Sequence, residues 1–285
     1  MLEKRPIRIL TDTTAAISRT YLQEHQVELL HQVIIFGEQS YLEEAELSFD
    51  DFLKKLRSAD DLPKTAAPPV GEAEKVLERI IQSAETVLCI HPSTELSGTV
   101  RTVETAKQDR FPNADIRILD TRVIGGALGS MVTAAVEMAE EGSSADDITS
   151  ALKTMIPKAR TYFLVDTLEY LRKGGRIGGA ASLVGSALRV KPILHLQDGR
   201  IDALEKVRTQ SKAMERLIEL TCENCPSDDS ARLVIMHADA MVSAEKVRAS
   251  LKEHFGFESI PIVALGAAIT THGGPGIVGV SFIAA

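Results

Sequence analysis

Cysteine is scarce in this chain: three in 285 residues, at Cys89, Cys222 and Cys225. An odd, low number does not make a disulfide framework, and it points to a reducing compartment. The opening "MLEKRPIRIL" holds no apolar leader core. No long hydrophobic run occurs either. The weakly polar stretch "VIGGALGSMVTAAVEMA", residues 123–139, is rich in Gly and Ala and already carries a glutamate. It is short for a bilayer span and reads as a packed helix. The expectation is a cytoplasmic protein without a transmembrane segment. An excess of positive charge is missing as well. The formal net charge is −8, so no nucleic-acid partner is expected. The chain has no G-x-x-x-x-G-K-[ST] loop, no G-x-S-x-G elbow and no H-E-x-x-H helix. A bound nucleotide, a serine nucleophile and a metal or other cofactor therefore have no motif to rest on, and a non-catalytic role is expected.

What is present is an ordinary globular composition, 44% hydrophobic and 25% charged, in a chain long enough to bury a real core. The first half alternates short apolar runs with amphipathic segments. "IRILTDT", "VELLHQVIIF", "TVLCI" and "DIRILD" read as strands. "SFDDFLKKLRS" opens on a capping-box pattern, Ser48 with Asp51, and "SSADDITSALKTMI" is a second capped helix. Residues 60–71, with three prolines, read as a loop. This alternation predicts a parallel sheet with helices on both faces. The second half changes character. "KPILHLQDGRIDALEKVR" reads as a hairpin around Asp198-Gly199, and later runs mix strands with helices. The expected fold class is α/β in two domains: a three-layer α/β/α parallel sheet over residues 1–160, then a two-layer mixed sheet over residues 161–285.

Several loops carry residues suited to holding an anion. "HPSTELSGTV", residues 91–100, follows a strand and precedes a helix. Its hydroxyls, its glycine and the free N–H groups of the next helical turn can surround a negative charge. The plain alternative is that Ser93 or Ser97 only caps the helix. "TDTTAAI", residues 11–17, and "PKTAAPP" also lie near strand ends, where open parallel sheets bind ligands. "LRKGGRIGG" sets three cations among four glycines, and "THGGPG" places His272 beside a turn. The C-x-x-C pair Cys222 and Cys225 ends a helix before Pro226, so it reads as structural, neither redox site nor metal site.

Taken in order, "TDTTAAI", "PKTAAP", "STELSGT", "VDTLEYLRKGGRIGGA", "KPIL", "DGRI", "KVRT" and "HGGPG" resemble the DegV family of bacterial fatty-acid-binding proteins. The resemblance spans nearly the whole chain. It implies that the anion is the carboxyl of a long-chain fatty acid held between two domains. It implies carboxyl-binding hydroxyls at Thr65 and Ser97, and a supporting network of Thr11, Asp12, Thr13, Gly98, Arg176 and His272. It further implies that Arg208 faces a separate fatty acid kinase, which phosphorylates the bound acid for phospholipid synthesis. The chain departs from the family where Thr65-Ala66-Ala67-Pro68 replaces Thr-Ser-Gln-Pro, where Pro92-Ser93 replaces Ser-Ser, and where Thr11-Asp12-Thr13-Thr14 replaces Thr-Asp-Ser-Thr.

Such a ligand is physically reasonable. Burying about fourteen methylenes at roughly 0.8 kcal/mol each gives on the order of 11 kcal/mol before ordering costs. A hydrogen bond to a charged head group adds roughly 1.5–3 kcal/mol, so the head-group contacts set orientation more than affinity. Gly125, Gly126 and Ala127 are candidates for the wall of the tail tunnel, against the alternative that they let the helix pack tightly on the sheet. Two rival functions remain open at this level. One is a lipid carrier or sensor with no kinase. The other is a substrate-binding subunit like that of dihydroxyacetone kinase.

Overall fold

The computed structural model describes residues 5–184 and 191–285. The first half contains strands β1 (Arg5–Asp12), β2 (Glu28–Leu30), β3 (Val33–Phe36), β4 (Gln39–Leu42), β5 (Lys64–Ala66), β6 (Ala84–His91) and β7 (Asp115–Asp120). Its helices are α1 (Arg19–Glu24), α2 (Phe49–Ser58), α3 (Val70–Ile81), α4 (Thr99–Arg110), α5 (Gly126–Glu140) and α6 (Ala145–Met155). The second half runs β8 (Ala159–Leu164), α7 (Glu169–Lys173), β9 (Lys191–Gln197), β10 (Arg200–Val207), α8 (Gln210–Asn224), β11 (Val234–Ala238), α9 (Met241–Phe255), β12 (Ile262–Ala264), α10 (Ala267–Gly273) and β13 (Ile277–Ile283).

Alternation of side chains decides the layers. In β1 and β6, Ile9, Leu88 and Ile90 point to one face and pack on α1, α5 and α6. Leu10, Val87 and Cys89 point to the other and pack on α3 and α4. The result is a parallel sheet of order β2-β1-β6-β7 between two helical layers. Strand order reverses between β1 and β6, which is where an open α/β sheet leaves a crevice at its carboxyl edge. The second sheet has order β10-β9-β8-β13-β11-β12, antiparallel except for the β11–β12 pair. Tyr162, Val280 and Phe282 face a core with α8 and α9. The opposite face carries Phe163 and Met236 and looks toward the first sheet. The expected three-layer parallel sheet and separate mixed sheet are both present.

Three expectations change in detail. The run "VELLHQVIIF" is not one strand. It breaks at His31-Gln32, and β3 leaves the main sheet for a small antiparallel sheet of order β4-β3-β5. The buried Gln32 bonds away from the strand direction, which turns the chain. The proline-rich segment is not all loop, because Lys64–Ala66 pairs with β3 as an edge strand. Pro63, Pro68 and Pro69 bound it and stop it extending. The helix after "HPSTELSG" is capped by neither serine. Gly98 occupies that position without a side-chain cap.

Other local readings hold. Ser48 accepts from the Asp51 N–H and Ser144 from the Asp147 N–H. Asp198 and Gly199 both have positive φ, 50° and 81°, as a two-residue hairpin of primed type requires. Cys222 and Cys225 are unbridged and pack at the end of α8. Burial pushes the Cys225 thiol up to about 12, so it stays a thiol. Among the described residues, no helix is long and apolar enough to cross a membrane.

The two halves are clasped at several points. Ser93 Oγ donates to Gly199 O at 2.8 Å, and Arg200 pairs with Glu95 at 2.9 Å. Arg122 also donates to Asp198 O. Gly279 brings β13 against β8 so closely that a Cβ there would lie 2.7 Å from Phe163 Cβ and 2.8 Å from Tyr162 O. Because one clash is with backbone, Gly279→Ala should cost about 1–3 kcal/mol of stability, read as a lowered urea midpoint.

Candidate functional site

The site grows from the ends of β1 and β6. Asp12 closes β1 and is fully buried. Its carboxylate accepts from Thr14 N at 3.0 Å, Thr14 Oγ1 at 2.5 Å, Gln32 Nε2 at 3.2 Å and His91 Nδ1 at 2.9 Å. Gln32 Nε2 also reaches Thr99 Oγ1 at 2.8 Å, and Thr99 Oγ1 lies 2.9 Å from Ser97 Oγ. A continuous chain of hydrogen bonds thus runs from Asp12 to Ser97 across the crevice.

A second branch reaches α10. Thr13 Oγ1 donates to Glu43 and accepts from Gln32 N. Glu43 Oε1 then accepts the Ala268 N–H at 2.8 Å, which fixes the first turn of α10. At the last turn, His272 Nε2 lies 2.7 Å from Thr65 Oγ1 on β5. Its Nδ1 is buried with no partner among the described residues. Arg176 completes the group. Its Nε donates to Leu96 O at 3.2 Å and its Nη1 to Gly174 O at 2.7 Å. It makes no ion pair among the described residues, so a partly buried cation is held here on carbonyls alone.

Electrostatics follow from burial. Desolvation, helped by the positive Arg176, pulls the His272 imidazole down to about 4, so it is neutral near pH 7. Burial lifts Glu43 to about 7, against the lowering effect of its bonds from Thr13 and Ala268. Burial also pulls Arg176 down. A neutral imidazole carrying its proton on Nε2 donates to Thr65 Oγ1 and frees the threonine hydroxyl to donate elsewhere. Ser97, Thr65 and Arg176 can then offer three donors to one anion.

These residues stand at one end of an apolar cavity between the two sheets. The cavity encloses about 810 Å³ not filled by protein atoms, its mouth included. Thr65, Ser97, Arg176 and His272 line it at the polar end. The rest is mainly aliphatic and aromatic, including Leu96, Phe163, Leu196, Met236 and Ile269. Thr65, Arg176 and His272 also line a second, wider and more polar space of about 1330 Å³, beside Lys64 and Lys173. They form a partition between the two.

Not every sequence-marked residue joins this group. Thr11 is buried but donates to Ile90 O within the sheet. Gly98 packs beside Ala67, where a Cβ would lie 3.3 Å from the alanine methyl. Gly125 lines the cavity with φ +67°. Gly126 lies against Met236 and Ser281, and Ala127 packs in the core under α5 without lining the cavity. The tight-packing alternative thus describes Ala127. Arg208 is exposed just after β10, away from the cavity lining. Three residues were not singled out by sequence. Gln32 had a signal, a lone amide in an apolar run, and Thr99 lies in the hydroxyl-rich stretch 91–100, whereas Glu43 had none. No cluster of three or more possible metal ligands occurs among the described residues.

Known proteins match over nearly the full length. A model of the DegV family, described as uncharacterised proteins, matches residues 6–285. Protein DegV of Bacillus subtilis is 34% identical over 275 residues, covering 96% of this chain and 98% of that protein. A DegV domain-containing protein of Streptomyces coelicolor is 35% identical over 281 residues, covering 97% and 98%. Among solved structures, a fatty-acid-binding DegV family protein from Thermus thermophilus superposes with a TM-score of 0.90 at 28% identity, over 98% of this chain and 100% of that one. The Bacillus subtilis DegV structure, a fatty acid binding protein, gives 0.87 at 32%, over 99% and 100%.

The two shifted groups act on stability with opposite sign. Between about pH 4 and 6.5 the unfolded chain holds a proton on His272 that the folded chain does not, so this group destabilises the fold as pH falls. Between about pH 4.5 and 7 the folded chain holds a proton on Glu43 that the unfolded chain releases, so this group destabilises the fold as pH rises. In the parent protein the two offset each other. Relative to it, His272→Gln should gain stability on acidification from about pH 6.5 to 4.5, and Glu43→Gln should lose it, each by about 2–3 kcal/mol. Urea midpoints across that range check both signs.

Proposed function

The chain belongs to the DegV family, and on that premise we propose that it binds a long-chain fatty acid between its two domains, residues 1–160 and 161–285, and presents the carboxyl to a separate kinase. One observation carries the reading: an apolar cavity ends at Thr65, Ser97 and a partly buried Arg176 that has no carboxylate partner among the described residues. A half-buried cation without a counter-charge favours an anionic head group, and the walls beyond it favour an alkyl tail. The ligands named for the Thermus thermophilus and Bacillus subtilis relatives support the same chemistry.

In this reading the tail supplies most of the affinity and the head-group donors fix its direction. Thr65 donates to one carboxylate oxygen, with His272 holding the threonine from behind. Ser97 donates to the carboxylate as well, oriented by the chain through Thr99 and Gln32 to Asp12. Arg176 balances the charge. Thr13 acts one step further back, through Glu43 and the start of α10. The wider space beyond the partition, with Lys64 and Lys173, is the side from which a kinase would reach the carboxyl. There a carboxylate oxygen attacks the γ-phosphorus of ATP held by the partner, and an acyl phosphate and ADP form. This chain contributes no group that bonds to the reacting atoms. A small carbonyl ligand, as in a dihydroxyacetone-kinase-like subunit, would leave the apolar walls without a use.

Denaturing the purified protein and running the organic extract on a mass spectrometer should give a long-chain fatty acid in stoichiometric amount. An empty extract together with no binding of added palmitate or oleate would end the reading. Thr65→Val with Ser97→Ala should weaken binding of added acid about 10²- to 10⁴-fold, as two hydrogen bonds to a charged group predict. Arg208→Ala should spare lipid binding and lower acyl-phosphate yield with a cognate kinase and ATP at limiting protein. Equal yield would remove Arg208 from the interface, and no acyl phosphate with either protein would leave a carrier without a kinase.

A further inference from the structure

The cavity wall is not apolar throughout. On the face of the second sheet that looks toward the first, β8 contributes Thr161 and Phe163, both lining the cavity. Their partners on β13 are Ser281 opposite Thr161 and Gly279 opposite Phe163. Directly opposed residues of an antiparallel pair hold their side chains about 4.5–5.5 Å apart. Thr161 Oγ1 and Ser281 Oγ are therefore neighbours. Both are buried, and neither has a hydrogen-bond partner among the described residues. The nearby Gly126 N–H does not serve them, because it points to Met236 Sδ at 3.0 Å. Gly126 packs closely on the serine, since a Cβ there would lie 2.8 Å from Ser281 Oγ, so the pair meets the cavity through Thr161.

Buried hydroxyls are ordinarily paired, so two unpaired ones side by side call for a reason. Their place along the cavity supplies one. His272 and Gly273 end α10 at the polar partition, and Ile277 begins β13 beside it. Ser281 is four residues further along the strand, about 13 Å at the rise of a β-strand. The hydroxyl pair thus stands well away from the carboxyl-binding end, against the outer part of a bound tail.

We propose that Thr161 and Ser281 form a second polar subsite that takes an oxygen function, hydroxyl or keto, carried on the distal half of the acyl chain. This rests on the fatty-acid reading above and deepens it: the favoured ligand class is an oxygenated long-chain acid. A hydroxyl donates to one of the two side chains and accepts from the other. A keto oxygen accepts from both hydroxyls through its two lone pairs. A saturated tail leaves both side chains unpaired, and a site built to pair a hydroxyl discriminates against the analogue that lacks it.

The test measures binding of stearic acid and of hydroxystearic acids with the hydroxyl near the carboxyl, at mid-chain and toward the methyl end. The parent protein should bind one of the two distal isomers roughly three- to tenfold more tightly than stearic acid, and the proximal isomer no more tightly than stearic acid. Thr161→Val, which keeps the shape, and Ser281→Ala should each reduce that ratio, and the double variant should invert it. Stearic acid bound at least as tightly as every hydroxy acid would overturn the proposal, with a trapped water as the partner of the pair. A preference that survives in the double variant would overturn it too. Failure of the parent protein to bind any of these acids would remove the fatty-acid reading, and this subsite with it.

Discussion

A buried carboxylate with no water to solvate it must find its donors within the protein, and Asp12 does so from three parts of the chain. Its own turn supplies Thr14, the break after β2 supplies Gln32, and the end of β6 supplies His91. Meeting that requirement brings the carboxyl ends of β1 and β6 together at the point where strand order reverses. It also forces "LLHQVIIF" to turn, which sends β3 out to build the small sheet that carries Thr65. The polar end of the cavity is therefore a by-product of satisfying one charge. Loss of Asp12 would disturb Ser97 through Gln32 and Thr99 and Thr65 through β3, although it touches neither.

The cavity itself comes from a mismatch between two surfaces. The first sheet is covered on both faces, whereas the second has a full helical layer on one face only. Its other face packs on α5, α10 and the loops after β1 and β6, which cannot fill the space as a helical layer would. Glycines at 125, 126 and 129 let α5 approach closely. A Cβ on Gly129 would lie 2.5 Å from Ala15 O, so that approach leaves no slack. The unfilled volume gathers where Gly125 and the ends of α10 and β5 meet the second sheet. The cavity is thus the imperfect covering of a sheet.

Much of this was legible in the sequence because periodicity and capping are local. The alternating strands and helices, Ser48 and Ser144 as caps, and the Asp198-Gly199 hairpin all follow from neighbours within a few residues. The motif order identified the family, and four residues marked through that resemblance, Thr65, Ser97, Arg176 and His272, do line one cavity. What was not legible depends on long-range contacts. Thr65 and His272 are 207 residues apart. Glu43 sits in "YLEEAEL", where nothing distinguishes one acid from the next, yet it alone caps α10 from a distance. Ala127 looked like a cavity wall because small residues make walls and tight contacts equally well; only the direction of its side chain separates the two.

The partition formed by Thr65, Arg176 and His272 has one face on the apolar cavity and one on the polar space outside. A group bound there belongs to two solvents at once. Its tail would be kept from water as completely as in a bilayer interior, while its head remained within reach of anything that fits the outer space. Solubilising a lipid and exposing its reactive end are usually opposed demands, since shielding the one tends to hide the other. On the proposed reading they would fall on opposite sides of the same three side chains, and a bound acid would be reachable without the protein opening.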